Sequence, residues 1–479
     1  MAQALQDLVA QFQLTATDEA DEQSNLALPS HESRPETAPR ARRALAVILS
    51  GLFLVCLVLG VIAWSKSLAP TQSLVVVEPT YLPTPTLFPT PTLTLFIAPQ
   101  VTATALPPTA GPNTSPTALP GSVTATVAAT QDVPFHDVWA NSAHAQAQAV
   151  AFTHWNAADP PEIPATCAKR HSTAGFQDFV GADGSAPGKV DAPAPIGGGI
   201  TCSACHNSAT STLSSVSFPS GIVLKGLGPE ARCIACHQGR ASKASVEAAI
   251  KTANATDVDT PNKKLTLVNI HYGTAAATEF GAEVQSGYEY AGQTYAAKFE
   301  HVAGFNTCLG CHDPHSLEIK FTACQACHKN VNSLADLKNI RGPNSVADYN
   351  GKGNVAEGVY FEVAGLQTEL LQTMETYASE VAKAPLVRSP DTYPYFFFDK
   401  NRNGQADEDE VNSQNSYAAW TPRLLKAAYN YQLSINDPGA FAHNGPYVIE
   451  LLYDSIADLN SKISKPALLT ARPEAASKP

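Results

Sequence analysis

Four copies of one short motif constrain this chain more than anything else in it. They are Cys202-Ser-Ala-Cys205-His206, Cys233-Ile-Ala-Cys236-His237, Cys308-Leu-Gly-Cys311-His312 and Cys324-Gln-Ala-Cys327-His328. Eight of the chain's 10 cysteines sit in these pairs, and histidine follows each pair at once. C-x-x-C-H attaches a c-type haem: the two cysteines form thioethers to the two vinyl groups, and the adjacent imidazole reaches the iron from the same turn. A zinc ribbon would need two pairs about 15–20 residues apart. Here 27 residues separate Cys205 from Cys233 and 12 separate Cys311 from Cys324. Zinc, a redox dithiol and disulfides all leave the four histidines unexplained.

The second axial ligand decides between shuttling electrons and binding a substrate, because an iron held from both sides has no open position. Methionine is scarce, with 2 in the chain, so histidine must supply most partners. The candidates are His144, His154, His271, His301, His315 and His443; His136 is weaker. The sequence pairs none of them with a particular motif.

A fifth, degenerate motif is Cys167-Ala-Lys-Arg170-His171, with arginine where the second cysteine should stand. Three readings stay open. The site has lost its haem, holds one through Cys167 alone with His171 as ligand, or is a chance look-alike. The haem count is accordingly four, or five if Cys167 and His171 keep one.

The chain resembles the multihaem c-type cytochromes over about residues 131–460. The resemblance rests on the four motifs, the run Cys311-His312-Asp-Pro-His315, and the later Trp420-Thr-Pro-Arg-Leu-Leu and Gly439-Ala-Phe-Ala-His443-Asn. It implies close-packed haems, mostly bis-histidine ligation and little regular secondary structure between them. The fold class is thus mainly irregular plus α, a haem-packed ectodomain with C-terminal helices.

The segments before the motifs set its place. Residues 44–64 are an uncharged apolar run. At 1.5 Å per residue it spans about 31 Å, one hydrocarbon core. Arg34, Arg40, Arg42 and Arg43 precede it and only Lys66 follows closely, which puts the N-terminus in the cytoplasm and the rest outside. The run is longer than a signal-peptide core and some forty residues precede it, so it reads as a retained signal-anchor. Residues 1–43 read as a disordered cytoplasmic tail, and the Pro/Thr-rich residues 65–130 as a semi-rigid stalk. Residues 131–332 form the haem region and residues 333–479 a helical C-terminal region.

Apolar spacing predicts helices over 366–382, 417–433 and 446–463, with Asp437-Pro-Gly439 breaking the last two apart and His443 in the loop between them. Asp399-Lys-Asn401-Arg-Asn403-Gly404-Gln405-Ala-Asp407-Glu-Asp409-Glu410 fits a twelve-residue calcium loop. Asp399, Asn401, Asn403, Gln405 (by its carbonyl), Asp407 and Glu410 are the ligands for one Ca2+. A solvated acidic turn is the alternative. Asp348 to Asn354 is a weaker version and reads as a turn.

The net charge of -12 argues against nucleic acid, which needs a basic surface. The expected partners are redox proteins or quinone-linked donors, with the membrane reached through one helix. The expected role is an extracytoplasmic, single-pass, tetrahaem electron carrier. The rival is a multihaem oxidoreductase with one open-site haem acting on a small nitrogen or sulfur oxyanion.

Overall fold

The computed structural model describes residues 133–342, 345, 347–469 and 472–473. The tail, the apolar span 44–64 and the stalk 65–130 lie outside the described residues, as does Cys56. Among the described residues no helix is long and apolar enough to cross a membrane.

The N-terminal two-thirds has short elements joined by irregular chain. Helices α1 (Ala165–His171) and α2 (Thr173–Val180) meet at Ser172, whose side chain accepts from Gly175 N and so caps α2. Next come α3 (Ala231–His237), α4 (Lys243–Thr252) and α5 (Ala275–Phe280). The strands pair in three two-stranded antiparallel ladders among the described residues. They are β1 with β2 (Glu162–Ile163, Ala194–Pro195), β3 with β4 (Ser215–Ser217, Val223–Lys225) and β5 with β6 (Leu386–Arg388, Phe396–Phe398).

The C-terminal part is three long helices: α6 (Val359–Glu380), α7 (Pro422–Asn436) and α8 (Ala440–Asn460). Apolar periodicity finds all three but misplaces their starts. α7 begins at Pro422 because Thr421 accepts from Leu424 N and Pro422 needs no donor in the first turn. α6 begins earlier than its apolar stripe, at Val359. α8 runs from Ala440 to Asn460 but is broken at Asn444, whose backbone is not helical (φ -165°, ψ 70°), two residues before Pro446, which has no N–H to give. His443 therefore lies in a single helical turn ahead of this break.

One core crosses the expected boundary at residue 332. Leu265, Ile270, Tyr288 and Tyr295 pack with Leu366, Leu424, Tyr447 and Leu451, all nearly or fully buried. Each such side chain contributes on the order of 1.5–3 kcal/mol of transfer free energy. The Tyr447 hydroxyl, inside this core, is held by Gly287 N at 2.8 Å and Glu289 at 3.0 Å. Gly281 shows how close the segments come. Its φ is +47°, and a Cβ there would meet Ala296 O at 2.6 Å. The helical layer thus supports the motif region directly, and it carries His443 into it. A smaller core of Phe176, Phe218, Ile234, Phe280 and Val284 lies under the second motif.

Candidate redox site: five histidine pairs

Three motifs contain a turn of helix, and the fourth follows one directly. Cys202–Cys205 and Cys308–Cys311 are single turns, Cys233 to His237 is the end of α3, and Cys324 closes another short turn. The N–H of His206 bonds Cys202 O at 2.8 Å, His312 bonds Cys308 O at 2.8 Å and His328 bonds Cys324 O at 2.8 Å. Residues i, i+3 and i+4 share a helix face, so this turn puts both sulfurs and the imidazole on one side.

Every motif histidine faces a histidine from elsewhere in the chain. The ring centroids are 6.1 Å apart for His206 and His315, and 6.4 Å for His237 and His144. They are 6.4 Å apart for His312 and His443, and 6.2 Å for His328 and His301. The His206 and His315 planes differ by 5°. Metal–imidazole bonds are about 2.0–2.1 Å, so two trans bonds hold ring nitrogens about 4 Å and ring centres about 6 Å apart. The four separations fit one iron between each pair.

The Nδ1 atoms support the same use. His237 Nδ1 lies 2.8 Å from Gly273 O, and His312 Nδ1 lies 3.0 Å from Leu317 O. A carbonyl only accepts, so Nδ1 donates and the Nε2 lone pair is left for a metal. Burial lowers the pKa of His144 to about 4, with His237 adding to the effect, and burial also lowers those of His237, His312 and His301. Neutral imidazole is the form that ligates. His443 is the exception. Burial opposes its charge, but Asp437 outweighs burial and raises its pKa.

The fifth pair is different. His171, from the degenerate motif, meets His271 at 5.7 Å between centroids and 3.4 Å between Nε2 atoms. That is closer than two iron bonds allow and close to a direct hydrogen bond. His171 Nδ1 lies 2.7 Å from Ala151 O. Arg170 turns away from the pair. Its Nε donates to Cys236 O at 3.0 Å and its Nη2 to Gly239 O at 2.6 Å, on either side of His237. So His271, expected as a distal ligand but assigned to no particular motif, opposes the degenerate one. His154, also expected as a distal ligand, packs edge-on against Trp155 at 4.8 Å. Trp155 also sits edge-on to His171 at 5.1 Å.

Successive motifs lie near one another in chain order. Cys205 lies within electrostatic range of Cys236 and Cys233. The Cys233 and Cys308 side chains are in contact, and Cys311 senses Cys324. Glu230 accepts from Cys308 N at 2.9 Å, and Lys298 lies 4.0 Å from Glu230 and 3.6 Å from Glu279. Among the described residues, no three His, Cys, Asp or Glu side chains are gathered as a preformed metal centre.

Two participants carried no sequence signal. Asp437 reads only as part of a helix break, yet its carboxylate holds His443. Trp155 reads as an ordinary aromatic.

Over 260 residues the chain is 30% identical to the C-type polyheme cytochrome OmcC of Geobacter sulfurreducens, and 29% identical to the C-type polyheme cytochrome OmcB of that organism. The match takes in 47% of this chain but 29% of OmcC and 30% of OmcB, so the chain spans less than a third of either relative's length. No protein-family model matches the chain, and no solved structure matches it significantly.

Proposed function

We propose that this chain, a relative of the multihaem c-type cytochromes, carries electrons through four covalently held haems in single file. Haem c, when bound, supplies one-electron iron chemistry. The observation that carries the reading is the set of four intact motifs, each with an opposing imidazole at 6.1–6.4 Å. In this assignment His206 pairs with His315, His237 with His144, His312 with His443 and His328 with His301. The cysteines tether the group, the motif histidine binds one face and its partner closes the other. Two axial imidazoles leave no open position, which favours a carrier over an oxyanion oxidoreductase.

The contacts between successive motifs supply the path. Cys205 by Cys233, Cys233 by Cys308 and Cys311 by Cys324 place neighbouring attachment points side by side. The donor and acceptor are redox proteins or quinone-linked donors. The chain is anchored by the span 44–64, with residues 65–130 as its stalk.

Two measurements test this on the full chain made with a haem-maturation system. Intact mass should show four haems. The oxidised spectrum should be wholly low-spin. Replacing His144, His301, His315 or His443 by alanine should each add one high-spin, carbon monoxide-binding haem, and His154→Ala should add none. No covalent haem would overturn the reading. A high-spin component in the unaltered protein would favour the oxidoreductase. A fifth haem would show that Cys167 suffices and that the His171–His271 pair opens to admit iron.

A further inference from the structure

The electron path makes no use of the acidic loop at 399–410. It runs from the end of β6 to a turn beside Asn415. Asp399 accepts from Asn403 N at 3.2 Å and Gly404 N at 3.0 Å. Gly404 has φ +71°, the sharp turn that residue six of a calcium loop requires. The side-chain amides of Asn401 and Asn403 both reach Asp407 Oδ2 at 2.7 Å, so three of the expected ligands already converge. Asn415 clips the ends together, donating at 2.8 Å to Phe398 O and at 2.8 Å to Glu410 O.

Glu410 is the telling residue. It is 2% exposed. Its Oε1 accepts from Lys400 N at 2.8 Å and Asn401 N at 3.0 Å, which sets the carboxylate over the start of the loop. Its Oε2 is buried and has no partner. A buried carboxylate oxygen without a donor or cation loses its hydration with nothing in return. Something positive is called for there.

A second loop in the same chain shows what a solved version looks like. Asp348 accepts from Lys352 N at 3.2 Å and Gly353 N at 2.6 Å, as Asp399 does from Asn403 and Gly404. Glu362, fully buried, accepts from Tyr349 N at 3.0 Å and Asn350 N at 2.9 Å, as Glu410 does from Lys400 and Asn401. There the other oxygen is satisfied by Arg341 Nη1 at 2.6 Å. The first loop has the same frame without the arginine.

We infer that the 399–410 loop binds one Ca2+, and that Arg341 is the built-in counterpart of that cation in the loop beside Glu362. The ligands are Asp399, Asn401, Asn403, Asp407, the Gln405 carbonyl and both oxygens of Glu410. This all-oxygen set suits calcium in number and hardness; magnesium would demand a tighter octahedron. Binding draws Asp399, Asp407 and Glu410 together, and the Asn401 and Asn403 amides rotate their oxygens inward. Because β6 and Asn415 already hold both ends, little chain has to be ordered.

The test uses the full haem-loaded chain, stripped with chelator and titrated calorimetrically with calcium chloride. One Ca2+ per chain and a higher unfolding temperature in calcium are expected. Glu410→Gln should weaken uptake by about tenfold or more, and Asp348→Asn should leave it unchanged. If Glu410→Gln does not fold, as judged by its haem spectrum, Asp407→Asn makes the same comparison. Absence of uptake by the folded protein, or uptake undiminished in these loop variants, overturns the assignment.

Discussion

His443 Nδ1 lies 2.8 Å from Asp437 Oδ2 and 2.9 Å from Oδ1. Asp437 is buried, and it also accepts from Gly439 N at 3.0 Å. His237 and His312 instead bond backbone carbonyls through Nδ1. Burial works against the Asp437 charge, but His443 more than compensates and lowers its pKa. A carboxylate draws the Nδ1 proton harder than a carbonyl and makes Nε2 a stronger donor to a metal.

Asp437→Asn should therefore raise the midpoint potential of the haem held by Cys308, Cys311 and His312, since a more basic ligand favours ferric iron. The expected size is on the order of 60 mV, a tenfold change in a one-electron equilibrium. Spectropotentiometry checks it, with the low-spin spectrum retained. The His237 site also feels the Asp437 charge but its Nδ1 bonds Gly273 O instead, so it should move less.

Arg170 occupies the second cysteine position of the degenerate motif. Arg170→Cys restores C-x-x-C-H in a segment that already has α1 geometry, His171 in place and His271 opposite. Intact mass should rise by one haem relative to the parent. The variant also loses the two bonds from Arg170 to Cys236 O and Gly239 O, so the His237 spectrum should shift. An unchanged haem count would show that the surrounding space has closed.

Glu450 is fully buried in α8; its Oε2 accepts from Ala296 N at 2.7 Å and its Oε1 has no partner. Burial raises its pKa from 4.5 to about 7. Below pH 4.5 the group is neutral folded and unfolded, and no penalty exists. As pH rises from 4.5 toward 7 the unfolded state ionises first, so the folded state loses stability. Glu450→Gln should stabilise the protein at pH 8 by on the order of 2–3 kcal/mol and by much less at pH 5. Thermal unfolding at the two pH values checks the difference.

The sequence made the chemistry legible where spacing is local. Both sulfurs and the imidazole of each motif lie within five residues, so one helical turn sets their relation whatever surrounds it. The apolar stripes of α6, α7 and α8 were legible for the same reason. Their starts were not: one hydrogen bond from Leu424 N to Thr421 caps α7 with Pro422 in its first turn, and α8 begins ahead of the break at Asn444. The acidic loop at 399–410 was legible as a candidate cation loop too, since its side-chain oxygens recur within twelve residues. What satisfies Glu362 was not, because Arg341 stands 21 residues away.

By itself the sequence marked the four C-x-x-C-H motifs and the residue types that could complete a haem's coordination. It did not determine partners. His144 reaches His237 across 93 positions and His443 reaches His312 across 131, separations at which no periodicity survives. Only the tertiary structure decided that His271 opposes His171, that His154 faces Trp155, and that Asp437 backs His443. The physical reason is that a distal ligand is placed by the packing that brings two distant segments together: α8 is buried against α5 and α6, and that burial, not any motif, carries His443 to His312.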